Sequence, residues 1–278
     1  MSSELLTREA LAQRLGGVRN YVSASRLNLW LNCPLAFKLK YVDGLVMPTS
    51  PAAFIGKRVH ASLETYYRHR QLGLLLDAQE LARRQVEFWD EAVAQERVVF
   101  ESTANSNAAR QQTIDLVAAY LQAVPADEPR PLAVEVAVEA PLVDPVSGED
   151  LGIPLVGVID LVLEEAAGPL VTDFKTAARS SAALEITHEI QLSSYSYLLR
   201  HSLQRREAGL EIRSLVKTKV PQIQFQRYTA RTEQHFRRLF AVILAYLDDL
   251  DRGSFVYRPS LGCSMCDYRD THCQQWNG

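Results

Sequence analysis

The chain has 278 residues, of which 47% are hydrophobic and 23% are charged, with 13 glycines and 12 prolines. These proportions exclude a collagen-like repeat, a coiled-coil rod and a chain that is disordered throughout. The formal net charge is −3, and no apolar run approaches the ~20 residues that span a bilayer. Because charges also interrupt the first residues, where a signal peptide would be apolar, we expect a cytoplasmic protein.

Helical patterns come first along the chain. The apolar spacing predicts helices over residues 51–70, 77–100 and 105–123, and the second begins at an acidic capping candidate, Asp77. Prolines then interrupt the chain at residues 124–131.

The pattern changes next to that of β-strands. Alternating apolar and acidic residues predict a half-buried strand over 132–140, and a cluster of turn-forming residues follows at 144–150. Two strongly apolar runs, 153–163 and 169–174, flank a short turn. They predict a hairpin that is buried on both faces.

The last part of the chain returns to mixed patterns. Residues 184–208 predict a helix, 214–228 one or two strands, and 230–251 a final long helix. Together these elements predict a single α/β domain with a central mixed sheet flanked by helices. We expect residues 71–124 to form a helical insertion and residues 1–20 a lead-in to the domain.

Charges are distributed unevenly over these elements. Between Leu132 and Asp173 there are nine acidic residues and no lysine or arginine, whereas Arg200 to Arg238 contains ten basic residues against three acidic ones. This separation fits a cation-binding site beside a surface for a polyanion. Solvated helix faces and turns produce the same pattern, and charge alone favours that interpretation.

The predicted hairpin carries two carboxylates and an ammonium group. If it is symmetric about residues 166 and 167, Asp160 and Asp173 lie opposite each other, with Cβ atoms about 5 Å apart. Lys175 follows two residues after Asp173 and therefore shares its face, whereas Phe174 points the other way, into packing.

Two carboxylates at that distance repel each other unless a cation or a proton intervenes. Mg²⁺ or Mn²⁺, which prefer oxygen ligands, would remove the repulsion. A lysine beside such an ion can position or activate a water for phosphodiester hydrolysis. The alternative is a buried Asp–Lys ion pair that only stabilises the hairpin, and the facing Asp160 favours the metal site.

Three segments carry a family resemblance: Gly157-Val158-Ile159-Asp160, Asp173-Phe174-Lys175-Thr176 and Gln191-Leu192-Ser193-Ser194-Tyr195. In this order and spacing they resemble the PD-(D/E)xK nuclease superfamily, specifically its RecB-like branch. The resemblance implies a restriction-endonuclease-like core in which Asp160, Asp173 and the Phe174 backbone carbonyl bind the metal and Lys175 acts on the water. It also implies that Gln191 and Tyr195, on one helix face, line the catalytic groove.

An upstream segment, Gly56-Lys57-Arg58-Val59-His60, resembles the GxxxH motif of the same branch. The resemblance implies that His60 is a metal ligand, although a lone histidine on an amphipathic helix is more often a core or surface residue. The family often has an acidic residue on the strand before the metal aspartate. Glu135 and Glu139 both fit that place, and the sequence does not choose between them.

The four cysteines are Cys33, Cys263, Cys266 and Cys273. In a cytoplasmic chain the C-x₂-C-x₆-C cluster indicates metal binding rather than disulfides, with Zn²⁺ and a 4Fe–4S cluster as alternatives. A RecB-like subset, which includes the AddB nuclease domain and the CRISPR-associated adaptation nucleases, has one cysteine before the core and three after it. This resemblance implies an iron–sulfur cluster that joins residues 255–278 to Cys33 within a nuclease domain over 21–278.

The resemblance implies a Mg²⁺- or Mn²⁺-dependent DNA exonuclease acting on single-stranded ends, in DNA repair, recombination or CRISPR-type DNA processing. Its expected contacts with the phosphate backbone are basic: Arg200, Arg205, Arg206, Lys217, Lys219, Arg227, Arg237 and Arg238. An alternative is a DNA-binding subunit of a helicase or integrase complex with an idle nuclease site, because the sequence has no GxxxxGK[ST] motor motif. A third alternative is a zinc-stabilised scaffold without affinity for DNA.

Overall fold

The computed structural model describes residues 17–179 and 185–273. Within these residues, seven α-helices flank one five-stranded mixed sheet, which confirms the predicted fold class. Most of the lead-in predicted over residues 1–20 lies outside the described part of the chain. Among the helices of that part, none has the length and apolar character needed to cross a membrane.

Five helices precede the sheet. They are α1 (Ala24–Asn32), α2 (Pro34–Phe37, continued by a π-helical turn over Lys38–Val42), α3 (Pro51–Gln71), α4 (Ala78–Gln95) and α5 (Thr103–Ala123). The four longer ones begin at a side chain that accepts a hydrogen bond from the first turn: Ser23, Ser50, Asp77 and Ser102. Helix α4 ends five residues before the predicted Phe100, because Arg97 adopts a left-handed backbone (φ 53°) that stops a helix.

The sheet follows the chain in simple order. Its strands are β1 (Pro131–Val143), β2 (Asp150–Glu165), β3 (Gly168–Ala177), β4 (Gly209–Val216) and β5 (Gln222–Thr229), and each pairs with the next. All pairs are antiparallel except β3–β4, which is parallel because α6 (Glu185–Leu203) crosses over between them. Helix α7 (Glu233–Arg252) and a 3₁₀ turn (Leu261–Met265) complete the fold.

The β2–β3 hairpin has the predicted register. Its paired residues run from Glu165–Gly168 at the turn to Leu161–Thr172, so the hairpin is symmetric about residues 166 and 167. Residues on both strands are buried, as expected of a hairpin covered on both faces.

The predicted boundary between α6 and β4 is wrong. The helix ends at Leu203 rather than at residue 208, and the strand begins at Gly209 rather than at Ser214. The strand contains Glu211 and Arg213, which are buried and form an ion pair with each other. Two buried charges interrupt the apolar pattern from which a central strand is recognised.

The two faces of the sheet have separate cores. Helices α3, α4 and α5 cover one face, where Phe54, Trp89 and Tyr120 are fully buried. Helices α1, α6 and α7 cover the other, where Leu198 and Tyr246 are fully buried. The candidate site lies where elements from both faces reach the point at which the β2–β3 pairing ends.

Candidate active site

Helix α3 carries His60 to the sheet because a glycine lets the helix approach closely. A Cβ atom at Gly56 would lie 2.8 Å from Oγ1 of Thr176 on β3, so any larger residue would push the helix away. His60 follows four residues later on the same helix face. Its Nδ1 lies 3.5 Å from Oδ2 of Asp160, which gives the Gly-x₃-His spacing a structural reason.

Asp160 lies where the β2–β3 pairing ends. The last paired residues are Leu161 and Thr172, and beyond them the backbone N–H of Phe174 donates a 2.9 Å hydrogen bond to Oδ2 of Asp160. The buried carboxylate therefore replaces the strand–strand hydrogen bonds at this point. Phe174 points into the core beneath α3, as predicted.

Glu135 is the acidic residue that joins the site from β1. The flanking pairs Val134–Leu161 and Val136–Ile159 place it across from Asp160. Its carboxylate is buried, and its backbone has φ 46°. A non-glycine residue in this left-handed region costs about 1–3 kcal/mol, and such strain is concentrated at functional sites.

His60, Glu135 and Asp160 form one potential metal-binding group. One ligand atom from each lies within 4.8 Å of those of the other two. Glu139, the other acidic candidate on β1, pairs with Val156 and is exposed. The structure therefore brings Glu135, and not Glu139, into this group, whereas the sequence left the two residues as alternatives.

Asp173 and Lys175 lie on the face of β3 that meets α6. Oδ1 of Asp173 accepts a 2.8 Å hydrogen bond from Nε2 of Gln191, and the same nitrogen lies 2.9 Å from the Tyr195 hydroxyl. Nζ of Lys175 lies 2.7 Å from Oδ2 of Asp173. Helix α6 can pack this closely because residue 157 is a glycine. A Cβ atom at Gly157 would lie only 2.7 Å from the Leu198 side chain. Gln191 therefore contacts the predicted catalytic strand directly, and Tyr195 contacts Gln191.

The site has an excess of negative charge. Burial, followed by the charges of Asp173 and Glu135, raises the pKa of Asp160 well above its usual value. Burial, followed by the charges of Asp173 and Asp160, raises the pKa of Tyr195, which therefore keeps its hydroxyl proton. A divalent cation would stabilise the ionised carboxylates that burial and mutual repulsion disfavour.

His188 is a neighbour of the site that sequence reasoning missed. It lies three residues before Gln191 and seven before Tyr195, so helical geometry puts it on their face. Burial and the positive charge of Lys175 lower its pKa, so the half-buried imidazole is neutral at pH 7. Its position three residues before Gln191 on the same predicted helix is the sequence signal by which His188 can be found.

The site opens into a groove of about 760 Å³ between α3 and the sheet. His60, Glu135 and Lys175 line it, together with Lys217 just after β4. Nζ of Lys217 donates a 3.2 Å hydrogen bond to the carbonyl of Ala52, in the first turn of α3.

The predicted basic tract is divided between the two ends of the sheet. Gly209 pairs with Leu170 and Val216 with Ala177, so residues before β4 lie near the hairpin turn and residues after it lie near the site. Of the eight predicted DNA contacts, Lys217 lines the groove. Five of the arginines instead form ion pairs: Arg200 with Glu207, Arg205 with Glu164, Arg227 with Glu165, Arg237 with Glu233 and Arg238 with Glu189.

The four cysteines come together from the two ends of the described chain. Cys33, Cys263, Cys266 and Cys273 line one cavity of about 1070 Å³, and all four are free thiols. Tyr268 is buried against α2 and its hydroxyl donates a 2.9 Å hydrogen bond to the Leu45 carbonyl, which fastens the C-terminal segment to the N-terminal one. Burial raises the pKa of Cys266, and the nearby thiols of Cys33 and Cys273 raise it further.

This mixed sheet, with carboxylates, a lysine and a glutamine at the end of its central hairpin, defines a nuclease core. The chain belongs to the PD-(D/E)XK nuclease superfamily, whose family model matches residues 21–274. The superfamily assignment made from the motifs is therefore confirmed, and members of this superfamily generally use divalent metal ions.

One solved structure shares the fold at low sequence identity, and a second gives a weaker match. The crystal structure of a "Putative exonuclease" from Eubacterium rectale is 14% identical, covers 94% of this chain and 92% of its own, and has a TM-score of 0.56. A second structure, that of SSO0001, is also 14% identical, covers 96% and 93% of the two chains, and has a TM-score of 0.43. No curated protein sequence gives a significant match.

Proposed function

We propose that the protein is a metal-dependent DNA exonuclease that acts on single-stranded ends. The observation that carries the proposal is the group of three buried carboxylates, Glu135, Asp160 and Asp173, beside Lys175 at the end of the hairpin. Burying three acids with one ammonium group is costly, and a bound divalent cation would offset the cost.

The residues present fit a Mg²⁺ or Mn²⁺ ion. His60, Glu135 and Asp160 are grouped closely enough to hold it together, and Asp173 and the Phe174 carbonyl would complete the set, as the resemblance implies. The ion would polarise the scissile phosphate and make a bound water more acidic. The proposed ligands are carboxylate and carbonyl oxygens with one imidazole nitrogen, and Mg²⁺ and Mn²⁺ accept these donor types in proteins.

The chain's own residues would complete the site. Lys175 would orient the attacking water or stabilise charge on the phosphate, since Asp173 holds its ammonium group at 2.7 Å. Gln191 orients the Asp173 carboxylate through a hydrogen bond, and Tyr195 supports the Gln191 amide in turn.

Nucleic acid would follow the groove between α3 and β4. Lys217 lines it and Lys219 follows two residues later, so these two lysines are the members of the predicted basic tract that we assign to phosphate contacts. We assign a single strand to this groove, as the RecB-like resemblance implies, and its scissile phosphate would have to reach the metal site.

We infer that the cysteine cavity holds a metal cluster. Four thiols from two distant segments line it, and thiolates bind both iron–sulfur clusters and zinc. We assign a 4Fe–4S cluster, as the RecB-like resemblance implies, with Zn²⁺ as the alternative. Either would join the N- and C-terminal segments, and free thiols of this kind fit a cytoplasmic location.

The test is cleavage of end-labelled single-stranded DNA by anaerobically purified protein with Mg²⁺, Mn²⁺ or EDTA. Wild type should give metal-dependent products, and Lys175→Ala should lower the rate by roughly 10²–10⁴-fold. Arg83→Ala removes an exposed cation on α4 and should cleave like wild type. Absorbance near 400 nm would distinguish an iron–sulfur cluster from colourless zinc.

If wild type and Lys175→Ala were equally inactive while both still bound DNA, the proposed exonuclease activity would be overturned. The protein would then be a DNA-binding subunit of a helicase or integrase complex. Cleavage by Lys175→Ala at the wild-type rate would overturn the role assigned to the lysine but would leave the nuclease activity of the protein established.

A further inference from the structure

Phe174 connects the two sides of the candidate metal site. Its backbone N–H binds the Asp160 carboxylate at 2.9 Å, and its ring meets the His60 ring edge-on, with centroids 6.1 Å apart. A movement of Phe174 would therefore displace an aspartate and a histidine that we assign to the same ion.

Two tyrosines hold the ring from behind. Tyr67 on α3 stacks on it at 5.9 Å with an interplanar angle of 24°, and Tyr120 on α5 meets it edge-on at 5.6 Å and 90°. The hydroxyls of the two tyrosines lie 2.6 Å apart. The ring is thus enclosed by aromatic contacts from two helices, whose geometry depends on where those hydroxyls are fixed.

A buried arginine fixes both hydroxyls. Arg213 lies beside Phe174 in the β3–β4 register, and its Nη1 donates to Tyr67 at 3.0 Å and to Tyr120 at 2.8 Å. Glu128 accepts hydrogen bonds from Arg213 and from Tyr67, so the guanidinium charge is compensated within the core. Planar guanidinium groups set the direction of their hydrogen bonds more strictly than an ammonium group does.

We propose that Arg213, Tyr67 and Tyr120 are positioning residues that hold Phe174 and thereby set the geometry of the metal site. The inference rests on the proposed metal-dependent function and extends it to residues that touch neither metal nor substrate. Supporting partners of metal ligands commonly affect affinity by 10–100-fold, although they make no bond to the metal.

The experiment compares two equivalent changes in the same core. Phe174→Leu and Phe54→Leu each shorten a buried phenylalanine in the core beneath α3, but Phe54 packs against Trp89 and Phe100 rather than at the site. Mn²⁺ binding by calorimetry should weaken about tenfold in Phe174→Leu. Phe54→Leu should bind Mn²⁺ like wild type, even if both variants melt at equally lowered temperatures.

A smaller substitution, Tyr67→Phe, tests the same inference with less effect on folding. Tyr67→Phe keeps the ring against Phe174 and removes only the hydroxyl that Arg213 holds, so it should weaken Mn²⁺ binding by about threefold. The Mn²⁺ electron paramagnetic resonance spectrum should broaden in both site variants. Wild-type Mn²⁺ affinity in Phe174→Leu and in Tyr67→Phe would overturn the inference, whereas failure of wild type to bind Mn²⁺ would overturn the proposed function itself.

Discussion

Two groups of buried and half-buried charges lie on either side of Phe174, and they differ in how their charges are compensated. The first contains Arg70, Glu128, Glu211 and Arg213, two positive and two negative groups joined by direct ion pairs. The second contains Glu135, Asp160, Asp173 and Lys175, three negative groups against one positive. The first is neutral within the protein, whereas the second is not.

The difference assigns different roles to the two groups. A buried ion pair whose charges and hydrogen bonds are all satisfied can hold a geometry for as long as both partners remain. The second group has a net charge of −2 when its acids are ionised, and one divalent cation would make it neutral. We therefore interpret the first group as a fixed support and the second as a site that becomes complete on binding a metal.

Breaking the compensated group should have the largest effect on stability. Glu128→Ala removes the acid that pairs with Arg70 and one of the two acids that pair with the buried Arg213, which should lower the free energy of unfolding by about 3–5 kcal/mol. Urea denaturation measures the change. Glu87→Ala, which removes an exposed partner of Arg83 on α4, is the control and should lose less than about 1 kcal/mol. A similarly small loss in Glu128→Ala would mean that the buried network contributes nothing specific.

Removing one acid from the uncompensated group should affect metal binding instead. Glu135→Gln keeps the size of the side chain but removes a charge, so Mn²⁺ binding should weaken by about tenfold, or ~1.4 kcal/mol. The matched control is Glu139→Gln, the same change four residues along β1 at an exposed position. Calorimetric titration of both variants with Mn²⁺ measures the difference. Equal affinities for the two variants would remove Glu135 from the ligand set.

The same group should make the metal-free protein less stable at neutral pH than in mild acid. The pKa of Asp160 is raised in the folded state, so the native protein binds this proton more tightly than the unfolded chain does. Stability in EDTA should therefore rise as pH falls from 8 through the folded pKa of Asp160.

Asp160→Asn removes that charge while leaving an oxygen for the Phe174 N–H. Its melting temperature in EDTA at pH 8 should exceed that of wild type by about 2–4 °C for each kcal/mol gained, and it should vary less with pH. The control is Asp90→Asn, an exposed aspartate on α4 that should melt like wild type at each pH. A metal-free wild type that loses stability between pH 8 and pH 6 would contradict the assigned repulsion.

The sequence was informative where local rules suffice. The short turn at residues 166 and 167 determined the hairpin register, and the period of two put Lys175 on the face of Asp173. Spacing also predicted the contact between Gln191 and Tyr195, since residues four apart on a helix share a face.

The sequence was insufficient where the answer depends on distant pairing. Choosing Glu135 over Glu139 requires the β1–β2 register, which shifts by one residue between Pro131 and Ala133. The start of β4 was hidden by Arg213, whose charge is compensated by Glu128, 85 residues earlier in the chain. Neither fact follows from local composition.

The basic tract shows the same limit at the surface. Arg205 and Lys217 are close in sequence, but β4 separates them by roughly 20–25 Å. Arg205 pairs with Glu164 at the hairpin turn, whereas Lys217 lines the groove at the candidate site. The nuclease hypothesis assigned both residues to contacts with the phosphate backbone, and the strand between them places them at opposite ends of the sheet.

This separation gives the smallest predicted effect and tests where the nucleic acid lies. Lys217→Ala should weaken binding of a single-stranded oligonucleotide by about threefold and lower the slope of log K against log salt by ~0.7, because one fewer counterion is released. Arg205→Ala should change neither quantity, since its guanidinium already neutralises Glu164 at the opposite end of β3 and β4. Fluorescence anisotropy over a series of salt concentrations, in EDTA to prevent cleavage, measures both. If Arg205→Ala lowered the slope and Lys217→Ala did not, the strand would cross the hairpin turn, too far from Asp160 and Asp173 for its phosphates to reach them.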